Sequence, residues 1–393
     1  MPIEIIPVQT KAELERFIRV PMRLNAGDPN WIAPLMFERR EALSPKHNPF
    51  FQHADHQFWL ARKDGRDVGR ISAQIDHLAA TSADAPAGYF GMIAAEDDAE
   101  VFRTLLATAE DWLRARGRAQ AIGPFNLSIN EEVGLLVDGF DSPPMVMMGH
   151  DPRYAGPRIE EQGYARIKDV HAYVSGVPVF TPGVETRLKR PTPAGVVVRP
   201  INMKDFDGEV RTLVEIWNDA WAQNWGFAPV TEAETRHLGE SLKLILHPRL
   251  IWFVEIDGEA AGFGALLPNL NDAIFDLGGK LLPFGWAKLL WRLKVRGVKR
   301  GRVPLMGVKR KFAREPRGAF APFLILESFR REAPKIGITT AEYSWILEDN
   351  TPMRHILESF GARIYKTYRL YGKALNGGPV ASDTGGVTEG LTL

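Results

Sequence analysis

A basic, glycine-containing segment between an apolar run and an amphipathic run has the residue types that bind phosphate. The apolar run ends at Val308, and the amphipathic run predicts a helix from Ala321. Arginine forms charge-assisted hydrogen bonds with phosphate, and the N–H groups of a helix N-terminus attract anions where small residues allow a close approach. The segment therefore predicts an anion site, with an ordinary strand-to-helix turn as the alternative. Its candidate ligands are Arg310, Arg314, Arg317, Gly318, Ala319, Phe320 and Ala321.

A second group of candidates lies in the apolar run 338–347, which predicts a strand that contains polar residues. Side chains alternate between the two faces of a strand, so Glu342 and Ser344 share one face, and Tyr343 and Trp345 share the other. A carboxylate in such a position can have the raised pKa that suits a general base. The alternative is a surface carboxylate that pairs with a lysine.

Two asparagines, Asn269 and Asn271, follow the second strand of a predicted hairpin. Their amides both donate and accept hydrogen bonds, so they are candidates for orienting a substrate. Asparagine is also common in turns, and turn formation is therefore the alternative.

The elements that must position these residues occur twice in the chain. Residues 58–75 and 251–268 share one pattern, in which an Asp-Gly pair separates two apolar runs. This pattern is a strong hairpin signal. A second match relates residues 163–173 to residues 361–371. Two copies of one pattern predict two domains of the same mixed α/β fold.

We expect the first domain at 1–178, a proline-rich linker at 179–195 and the second domain at 196–375. Residues 376–393 are rich in Gly, Ser and Thr and are predicted to be disordered. Helices are predicted at 12–26, 98–116, 204–222, 321–332 and 351–360, with a further short helix that ends at Phe140. Strands outside the two hairpins are predicted at 88–95, 119–125, 165–174, 196–200, 303–309, 338–347 and 364–372.

The composition limits the classes of function. A formal net charge of +1 provides no global attraction to nucleic acid, and the absence of cysteine excludes disulfides, thiolate zinc sites and a thiol nucleophile. The first residues lack the basic and apolar regions of a secretory signal, and no apolar run is long enough to span a bilayer. We therefore expect a cytoplasmic protein. We also expect no metal cofactor, because the histidines lack metal-ligand spacing.

One segment departs from this balanced charge, because residues 277–314 contain no Asp or Glu. Within it, Gly279–Arg302 interleaves Leu, Phe and Trp with Lys and Arg. This composition is typical of a helix at the interface of an anionic membrane, and it would also suit a lid over a long apolar chain. A helix packed on the sheet with a solvated basic face is the alternative. Peripheral contact with the inner membrane therefore remains open.

The order of these elements resembles the GCN5-related N-acetyltransferase (GNAT) superfamily. Residues 314–321 loosely match the family's phosphate loop, and Asn350 and Gly361 have the spacing of a family Asn and Gly that follow the fifth strand. The resemblance implies a mixed sheet that splays open at its middle and binds acyl-CoA in the splay, with the pyrophosphate on the loop. It also implies that a backbone N–H near Val308 donates to the thioester carbonyl and that Asn350 contacts the cofactor.

Two departures from the family pattern affect these implications. Many members have a Tyr in the helix after the Asn, which protonates the leaving thiolate, but Leu357 occupies that position here. The first copy has Glu96, Asp97 and Asp98 where the phosphate loop belongs, and acids repel phosphate. We therefore expect the second domain to bind acyl-CoA and the first to contribute one wall of the acceptor site.

Within the superfamily, the chain is similar to a group of tandem proteins that includes bacterial ceramide synthases. The similarity lies in 28–35, 48–51, 123–144, 224–229 and 282–291. It implies transfer of a fatty acyl group from acyl-CoA to the amine of a sphingoid base.

The roles that this reaction requires lead to specific residue predictions. Glu342, Ser344 and Asn271 are the predicted catalytic residues, and the predicted acceptor contacts are Asn224, Trp225, Asn269 and Trp345. A small-molecule or aminoacyl N-acetyltransferase and a non-catalytic acyl-CoA scaffold are the alternatives.

Overall fold

The structure is a computed structural model that describes residues 2–79, 85–177, 181–189, 191–243, 245–377 and 392. It divides into two compact units. The N-terminal unit comprises Met1–Asp169, Asp276–Lys280 and Lys366–Thr384, and the C-terminal unit comprises Val170–Phe275, Leu281–Tyr365 and Gly385–Leu393.

The described part of the first half of the chain has nine strands and four helices. The strands are β1 (Glu4–Pro7), β2 (Ala54–Lys63), β3 (Arg66–Asp76), β4 (Ala87–Ala95), β5 (Gln120–Gly123), β6 (Phe125–Asn126), β7 (Glu132–Val133), β8 (Leu135–Asp138) and β9 (Ala165–Gly176). The helices are α1 (Lys11–Leu24), α2 (Met36–Ala42), α3 (Ala99–Arg114) and α4 (Ala155–Glu160), with a 3-10 turn at Pro49–Gln52.

The described part of the second half has six strands and eight helices. The strands are β10 (Val196–Pro200), β11 (Ile251–Ile256), β12 (Glu259–Pro268), β13 (Arg300–Val308), β14 (Thr340–Leu347) and β15 (Arg363–Ala374). The helices are α5 (Pro182–Leu188), α6 (Phe206–Ala220), α7 (Glu232–Ser241), α8 (Asn271–Ile274), α9 (Gly285–Trp291), α10 (Arg310–Ala313), α11 (Pro316–Glu332) and α12 (Thr351–Ser359). A π-helical segment, Arg292–Arg296, extends α9, and 3-10 turns lie at Met203–Asp205, Pro248–Leu250 and Ala333–Ile336.

Each unit contains one mixed sheet whose strand order follows the same plan. The N-terminal sheet has the order β1-β2-β3-β4-β5-β15, and β8 also pairs with β15. In the C-terminal unit the order is β9-β14-β13-β12-β11-β10. All neighbours are antiparallel except the central pairs β4–β5 and β13–β14, which are parallel. The predicted mixed α/β architecture is therefore confirmed.

The closing strands exchange partners between the two halves of the sequence. β9 belongs to the first half, but its residues from Val170 onward pair with β14. β15 ends the second half, but its residues Thr367–Ala374 pair with β8 and β5. The unit boundaries consequently differ from the predicted domains, 1–178 and 196–375. The predicted linker contains α5, and most of the predicted disordered tail lies outside the described residues.

The central parallel pair of the C-terminal sheet separates after a short stretch. β13 and β14 pair only from Arg300↔Thr340 to Val303↔Tyr343. β13 continues to pair with β12 as far as Val308. Two cores cover the faces of this sheet. Tyr343 packs with α11 and α12 on one face, and Phe263 packs with α6 on the other. The predicted splay is present. Beyond Val303, one edge of β13 pairs with no other strand in the described part of the chain, and we call it the open edge, although Thr392 bridges to Gly307 there.

The corresponding opening in the N-terminal unit is filled by its own chain. β4 and β5 pair only over Ala87–Tyr89, after which the Asn126 Oδ1 atom accepts a hydrogen bond from the Met92 N–H at 2.6 Å. A Cβ atom added to Gly91 would lie 1.7 Å from the Phe125 carbonyl oxygen, so the filling segment packs directly on β4. This segment forms β6, β7 and β8 and not the predicted helix that ends at Phe140.

Candidate active site

The open edge of β13 offers backbone donors to a ligand. The Lys309 N–H donates to the Ala261 carbonyl at 2.8 Å, on the side of β12. Because successive N–H groups of a strand point to opposite edges, the Val308 N–H points toward the open edge. This is the predicted position of the donor to the thioester carbonyl.

Three predicted ligand-binding positions meet at this edge around Thr392. Thr392 forms an antiparallel bridge with Gly307 and is buried. Its carbonyl accepts a hydrogen bond from the Asn350 Nδ2 atom at 2.8 Å, and its hydroxyl accepts one from the Asn224 Nδ2 atom at 3.1 Å. The fold therefore brings Val308, Asn350 and Asn224 together, although they lie far apart in sequence.

Helix α11 begins next to the end of β13 and earlier than predicted. Its first residue is Pro316 and its N-cap is Glu315, whose side chain makes no capping hydrogen bond. The first bonded amide is that of Ala319, which donates to the Glu315 carbonyl at 2.8 Å, so the amides of Arg317 and Gly318 precede the helical ladder. A Cβ atom on Gly318 would lie 2.0 Å from the Phe312 carbonyl oxygen. A larger residue would therefore clash, and close packing accounts for the glycine at this position.

The residues after Gly318 are helical, which corrects the expected loop. Ala319, Phe320 and Ala321 lie in the first turns of α11, and Ala321 is buried in the core. Proline at the first helical position and a helix-compatible sequence from Pro316 onward account for the earlier start. The segment that the sequence predicts to bind an anion therefore begins a helix and is not an extended glycine loop.

The basic side chains around this N-terminus have acidic partners. Arg310 Nη2 lies 3.3 Å from Asp219 Oδ1, and Arg317 Nη1 lies 2.7 Å from Asp257 Oδ2. Arg314 is exposed at the C-terminal end of α10. Phosphate would therefore have to compete with carboxylates for Arg310 and Arg317.

The second predicted group, Glu342 and Ser344, lies on the face of β14 opposite α11 and α12. Ala341 and Tyr343 pack in the core against those helices, so the alternating side chains of Glu342 and Ser344 point to the other face. The Ser344 hydroxyl donates to Glu342 Oε1 at 2.6 Å. The predicted pairing of these residues on one face is present in the structure, although both side chains are fully buried.

Two residues that the sequence did not single out complete this network. Arg302 is the register partner of Glu342, and its Nε atom donates to Ser344 Oγ at 2.8 Å and lies 3.5 Å from Glu342 Oε1. The Tyr365 hydroxyl donates to Glu342 Oε2. A fully buried Arg beside a fully buried Glu forms an ion pair held by hydrogen bonds from Ser344 and Tyr365.

Trp345 does not keep the alternation predicted for β14. The pairing of β14 with β9 shifts register between Tyr343 and Ile346, and the Trp345 ring lies 4.4 Å from the Arg302 guanidinium carbon. Trp345 therefore contacts the network on the Glu342 face. Its indole Nε1 is buried and has no hydrogen-bond partner among the residues that the structure describes.

The structure places Asn269 and Asn271 in a turn. The Asn269 side chain accepts from the Asn271 N–H at 3.3 Å and donates to Asp272 Oδ1 at 2.8 Å, and its own N–H donates to the Arg300 carbonyl. Both lie beside the first residue of β13, about 20 Å along the strand from Gly307. They are not brought together with the open edge.

The remaining predicted positions lie in the core of the C-terminal unit. Trp225 is buried, so it contributes packing beside the exposed turn that follows α6. Leu357, at the family's tyrosine position, is fully buried against β14 and α11. This site therefore presents no hydroxyl from that helix position.

The N-terminal unit has an acidic helix start where a phosphate loop would lie. The Asp98 side chain caps α3 by accepting from the Glu100 N–H at 2.9 Å and pairs with Lys63 Nζ at 2.8 Å. Acids that cap a helix are favourable at its N-terminus, and their negative charge opposes phosphate binding there.

The segment that fills this opening also contacts charged residues of the N-terminal unit. Asn126 Nδ2 donates to Glu132 Oε1 at 2.6 Å, and the Leu136 N–H donates to Asp151 Oδ2 at 3.0 Å. Burial raises the pKa of Asp151 to about 7, with a further contribution from Glu132, and burial lowers the pKa of Arg70 to about 9. Among the described residues, no three His, Cys, Asp or Glu side chains form a group that could hold a metal ion.

Known proteins are similar to this chain over nearly its whole length. No protein-family model matches the chain. It is 60% identical over 375 residues to the bacterial ceramide synthase of Caulobacter vibrioides (strain NA1000 / CB15N), with 95% of this chain and 98% of that protein covered. It is also 44% identical to protein YghO of Escherichia coli (strain K12), with coverages of 93% and 94%.

Solved structures support the fold over nearly the whole chain. A tandem GNAT protein from the clavulanic acid biosynthesis pathway matches with a TM-score of 0.55 at 15% identity, covering 96% of this chain and 100% of that one. A GCN5-related N-acetyltransferase from Sphaerobacter thermophilus matches with a TM-score of 0.53 at 15% identity, covering 97% and 98%. The chain therefore belongs to the family of the bacterial ceramide synthase and is an acyl-CoA N-acyltransferase with a tandem GNAT fold.

Proposed function

We propose that the protein transfers a long-chain acyl group from acyl-CoA to the amine of a sphingoid base. The name of the Caulobacter relative, at 60% identity, supports this choice of donor and acceptor. The observation that carries the proposal is the open edge of β13, which ends beside the N-terminus of α11. Acyl-CoA is extended, contains amide groups and carries phosphates at one end. Its binding therefore requires an open strand edge beside the N-terminus of a helix.

The C-terminal unit is the proposed acyl-CoA site. The amides of Arg317 and Gly318 would hold the pyrophosphate at the helix N-terminus, with Arg310, Arg314 and Arg317 as cationic contacts. The Val308 N–H would polarise the thioester carbonyl and stabilise the oxyanion that forms there. Asn350 and Asn224 lie at the same edge and would contact the bound donor or acceptor.

The amine is proposed to reach the thioester from the α6 face of the sheet. Glu342 lies on that face at the level of Arg302, about 20 Å along β13 from Val308, and is the proposed general base only through intervening groups, with Ser344 and Arg302 holding its carboxylate. Trp345 is a proposed acceptor contact, because its buried indole N–H has no partner within the described residues and would gain one from a substrate oxygen. Asn271 and Asn269 remain candidates only for contacts with a distant part of the acceptor.

A lipid acceptor also fits the exposed surface of Gly279–Arg302. Leu282 and Phe284 are 80% and 77% exposed, and Trp286 and Trp291 are each about half exposed. Lys288, Lys294 and Arg296 are exposed in the same segment. We propose that this surface binds an anionic membrane peripherally, on the cytoplasmic side, since exposed aromatic and aliphatic side chains beside cations are typical of interfacial binding. No helix in the described part of the chain is long and apolar enough to cross a membrane.

The decisive assay measures CoA release from purified protein with acetyl-CoA or palmitoyl-CoA, each with and without sphinganine. Release that requires both palmitoyl-CoA and sphinganine would support the proposal. Release with acetyl-CoA and a small amine would replace it with a small-molecule N-acetyltransferase. Binding of acyl-CoA without release for any amine would indicate a non-catalytic scaffold.

Membrane contact is tested separately by co-sedimentation with phosphatidylcholine vesicles, with and without phosphatidylglycerol. The wild-type protein should sediment with the anionic vesicles, and less so at high salt because screening weakens the charge attraction. The double variant Phe284→Ser/Trp286→Ser should stay in the supernatant. Phe37→Ser, which changes an exposed Phe of α2, is the matched control and should behave as wild type. Equal sedimentation of all three proteins would refute this surface as the contact.

A further inference from the structure

Arg70, Glu132 and Asp151 form a charged cluster in the N-terminal unit. The two carboxylates flank Gly149, because a Cβ atom added there would lie 3.3 Å from Glu132 Oε1 and 3.6 Å from Asp151 Oδ2. Arg70 is an electrostatic neighbour of both carboxylates. All three charged side chains are partly exposed, so solvent reaches the cluster. Polar groups that converge in this way are typical of a ligand site.

The members of the charged cluster do not satisfy one another. Among the described residues, Arg70 forms no ion pair with Glu132 or Asp151, and its buried Nε atom has no hydrogen-bond partner. Asn126 Nδ2 donates to Glu132 Oε1 at 2.6 Å, and the Leu136 N–H donates to Asp151 Oδ2 at 3.0 Å. The other oxygen of each carboxylate, Glu132 Oε2 or Asp151 Oδ1, therefore lacks a hydrogen bond within the described part of the chain.

The charge around the cluster favours a cationic ligand. Arg39, a neighbour on α2, is already paired with Glu38 at 2.6 Å. Arg70 offsets only one of the two cluster carboxylates, so an ionised Asp151 is in excess. Burial and the charge of Glu132 accordingly raise the pKa of Asp151 to about 7. A cation between the carboxylates would remove this repulsion, because an opposite charge stabilises the ionised form.

We propose that the charged cluster binds the ammonium group of an amine ligand. A primary ammonium has three N–H donors, and two of them would bond to Glu132 Oε2 and Asp151 Oδ1. Gly149 leaves room for the nitrogen between these oxygens, and Arg70 balances the remaining negative charge. The site lies within the N-terminal unit and its occupation requires no acyl-CoA, so the assignment does not depend on the proposed acyl transfer. A sphingoid base carries such an amine, and so does a small polar amine.

The test is calorimetric binding of serinol, a soluble amino diol, compared with glycerol, which has a hydroxyl in place of the amine. Serinol should bind to the wild-type protein and glycerol should not. Asp151→Asn should weaken serinol binding at least about tenfold, as expected for a lost hydrogen bond to a charged group. Asp111→Asn, which changes an exposed acid of α3, is the matched control and should bind as wild type. Equal affinity of Asp151→Asn and wild type would overturn the assignment.

Proton release separates direct contact from a structural role of Asp151. Since the pKa of Asp151 is about 7, about half of these side chains carry a proton at pH 7. A bound ammonium lowers that pKa, so serinol binding should release up to about half a proton per site. The release is measured as a dependence of the binding heat on the ionisation heat of the buffer. It should be absent in Asp151→Asn, and its absence in the wild-type protein would refute contact with Asp151.

Gly149→Ala covers the case in which Asp151→Asn does not fold. It keeps both carboxylates and places a methyl group between them, so serinol affinity should fall. Unchanged affinity in this variant, or binding of inorganic phosphate in preference to serinol, would overturn the site. Displacement of serinol by sphinganine in detergent micelles identifies a lipid amine as the ligand, and failure of displacement identifies a small polar amine. A protein that binds serinol but is inactive would overturn only the proposed function.

Discussion

Replacing Glu342 by Gln removes one charge from a fully buried ion pair and leaves the shape of the side chain nearly unchanged. The Arg302 side chain, which is also fully buried, then keeps its positive charge without a counter-ion. Breaking a buried pair by removing one partner typically costs about 3–5 kcal/mol. A single domain is stable by only about 5–15 kcal/mol, so the change should be large.

The assay is thermal unfolding of the purified variant. In a domain of about 150–250 residues, 1 kcal/mol shifts Tm by about 2–4 °C, so Glu342→Gln should lower the Tm of the C-terminal unit by about 6–20 °C. The matched control is Glu327→Gln, which breaks a partly exposed pair on α11 whose atoms, Arg330 Nη2 and Glu327 Oε1, lie 2.6 Å apart. Surface pairs contribute about 0–1 kcal/mol, so the control should shift Tm by no more than about 4 °C.

A double variant separates charge from packing. Arg302→Met combined with Glu342→Gln removes both charges, and much of the lost stability should return because no uncompensated charge stays buried. The reasoning is refuted if Glu342→Gln unfolds at the temperature of Glu327→Gln, or if the double variant is the least stable of the three. Activity of Glu342→Gln must be compared with wild type below both unfolding transitions.

Three further predictions concern pH, the open edge and the helix N-terminus. The pKa of Asp151 is raised from 3.8 to about 7, so the folded protein binds more protons than the unfolded chain between these values, and stability should fall as pH rises through this range. Asp151→Asn should flatten that slope in pH-dependent unfolding, and an unchanged slope would contradict the assignment. Deleting residues 385–393 should tighten acyl-CoA binding about tenfold in calorimetry, because Thr392 no longer bonds to Asn350 and Asn224; equal or weaker binding would exclude competition at this edge. Gly318→Ala should weaken acyl-CoA binding, because its Cβ atom would lie 2.0 Å from the Phe312 oxygen, whereas Gly239→Ala, with its nearest contact at 3.5 Å, should bind as wild type.

The repeated hairpins were predictable because their signal is local. At both turns the Asp and the Gly have positive φ, 53° and 77° for Asp64 and Gly65, and 51° and 84° for Asp257 and Gly258. Positive φ at both central residues is the type I′ turn that Asp-Gly favours between twisted strands. The alternating apolar residues on each side then form the paired strands. No distant contact is needed for this inference.

The predicted elements differ from the observed ones where strands pair with residues that lie far away in the sequence. The residues before Phe140 form β7 and β8, and β8 pairs with Thr367–Arg369 near the other end of the chain. Likewise β9 and β15 join sheets formed mainly by the opposite half of the sequence. The spacing of apolar residues along the sequence identifies a strand. It does not identify which strand pairs with it when several strands have the same spacing.

The candidate site likewise combines features that the sequence predicts with features that depend on the tertiary structure. The sequence by itself determined that Glu342 and Ser344 share a face, because side chains alternate along a strand, and that a basic helix start follows the central strand. Only the tertiary structure decided that Arg302 and Tyr365 complete the network, since strand register and sheet order bring them to Glu342 across 40 and 23 residues of chain. It also decided that Glu342 is fully buried. Burial depends on every element packed around a residue, and no local pattern encodes it.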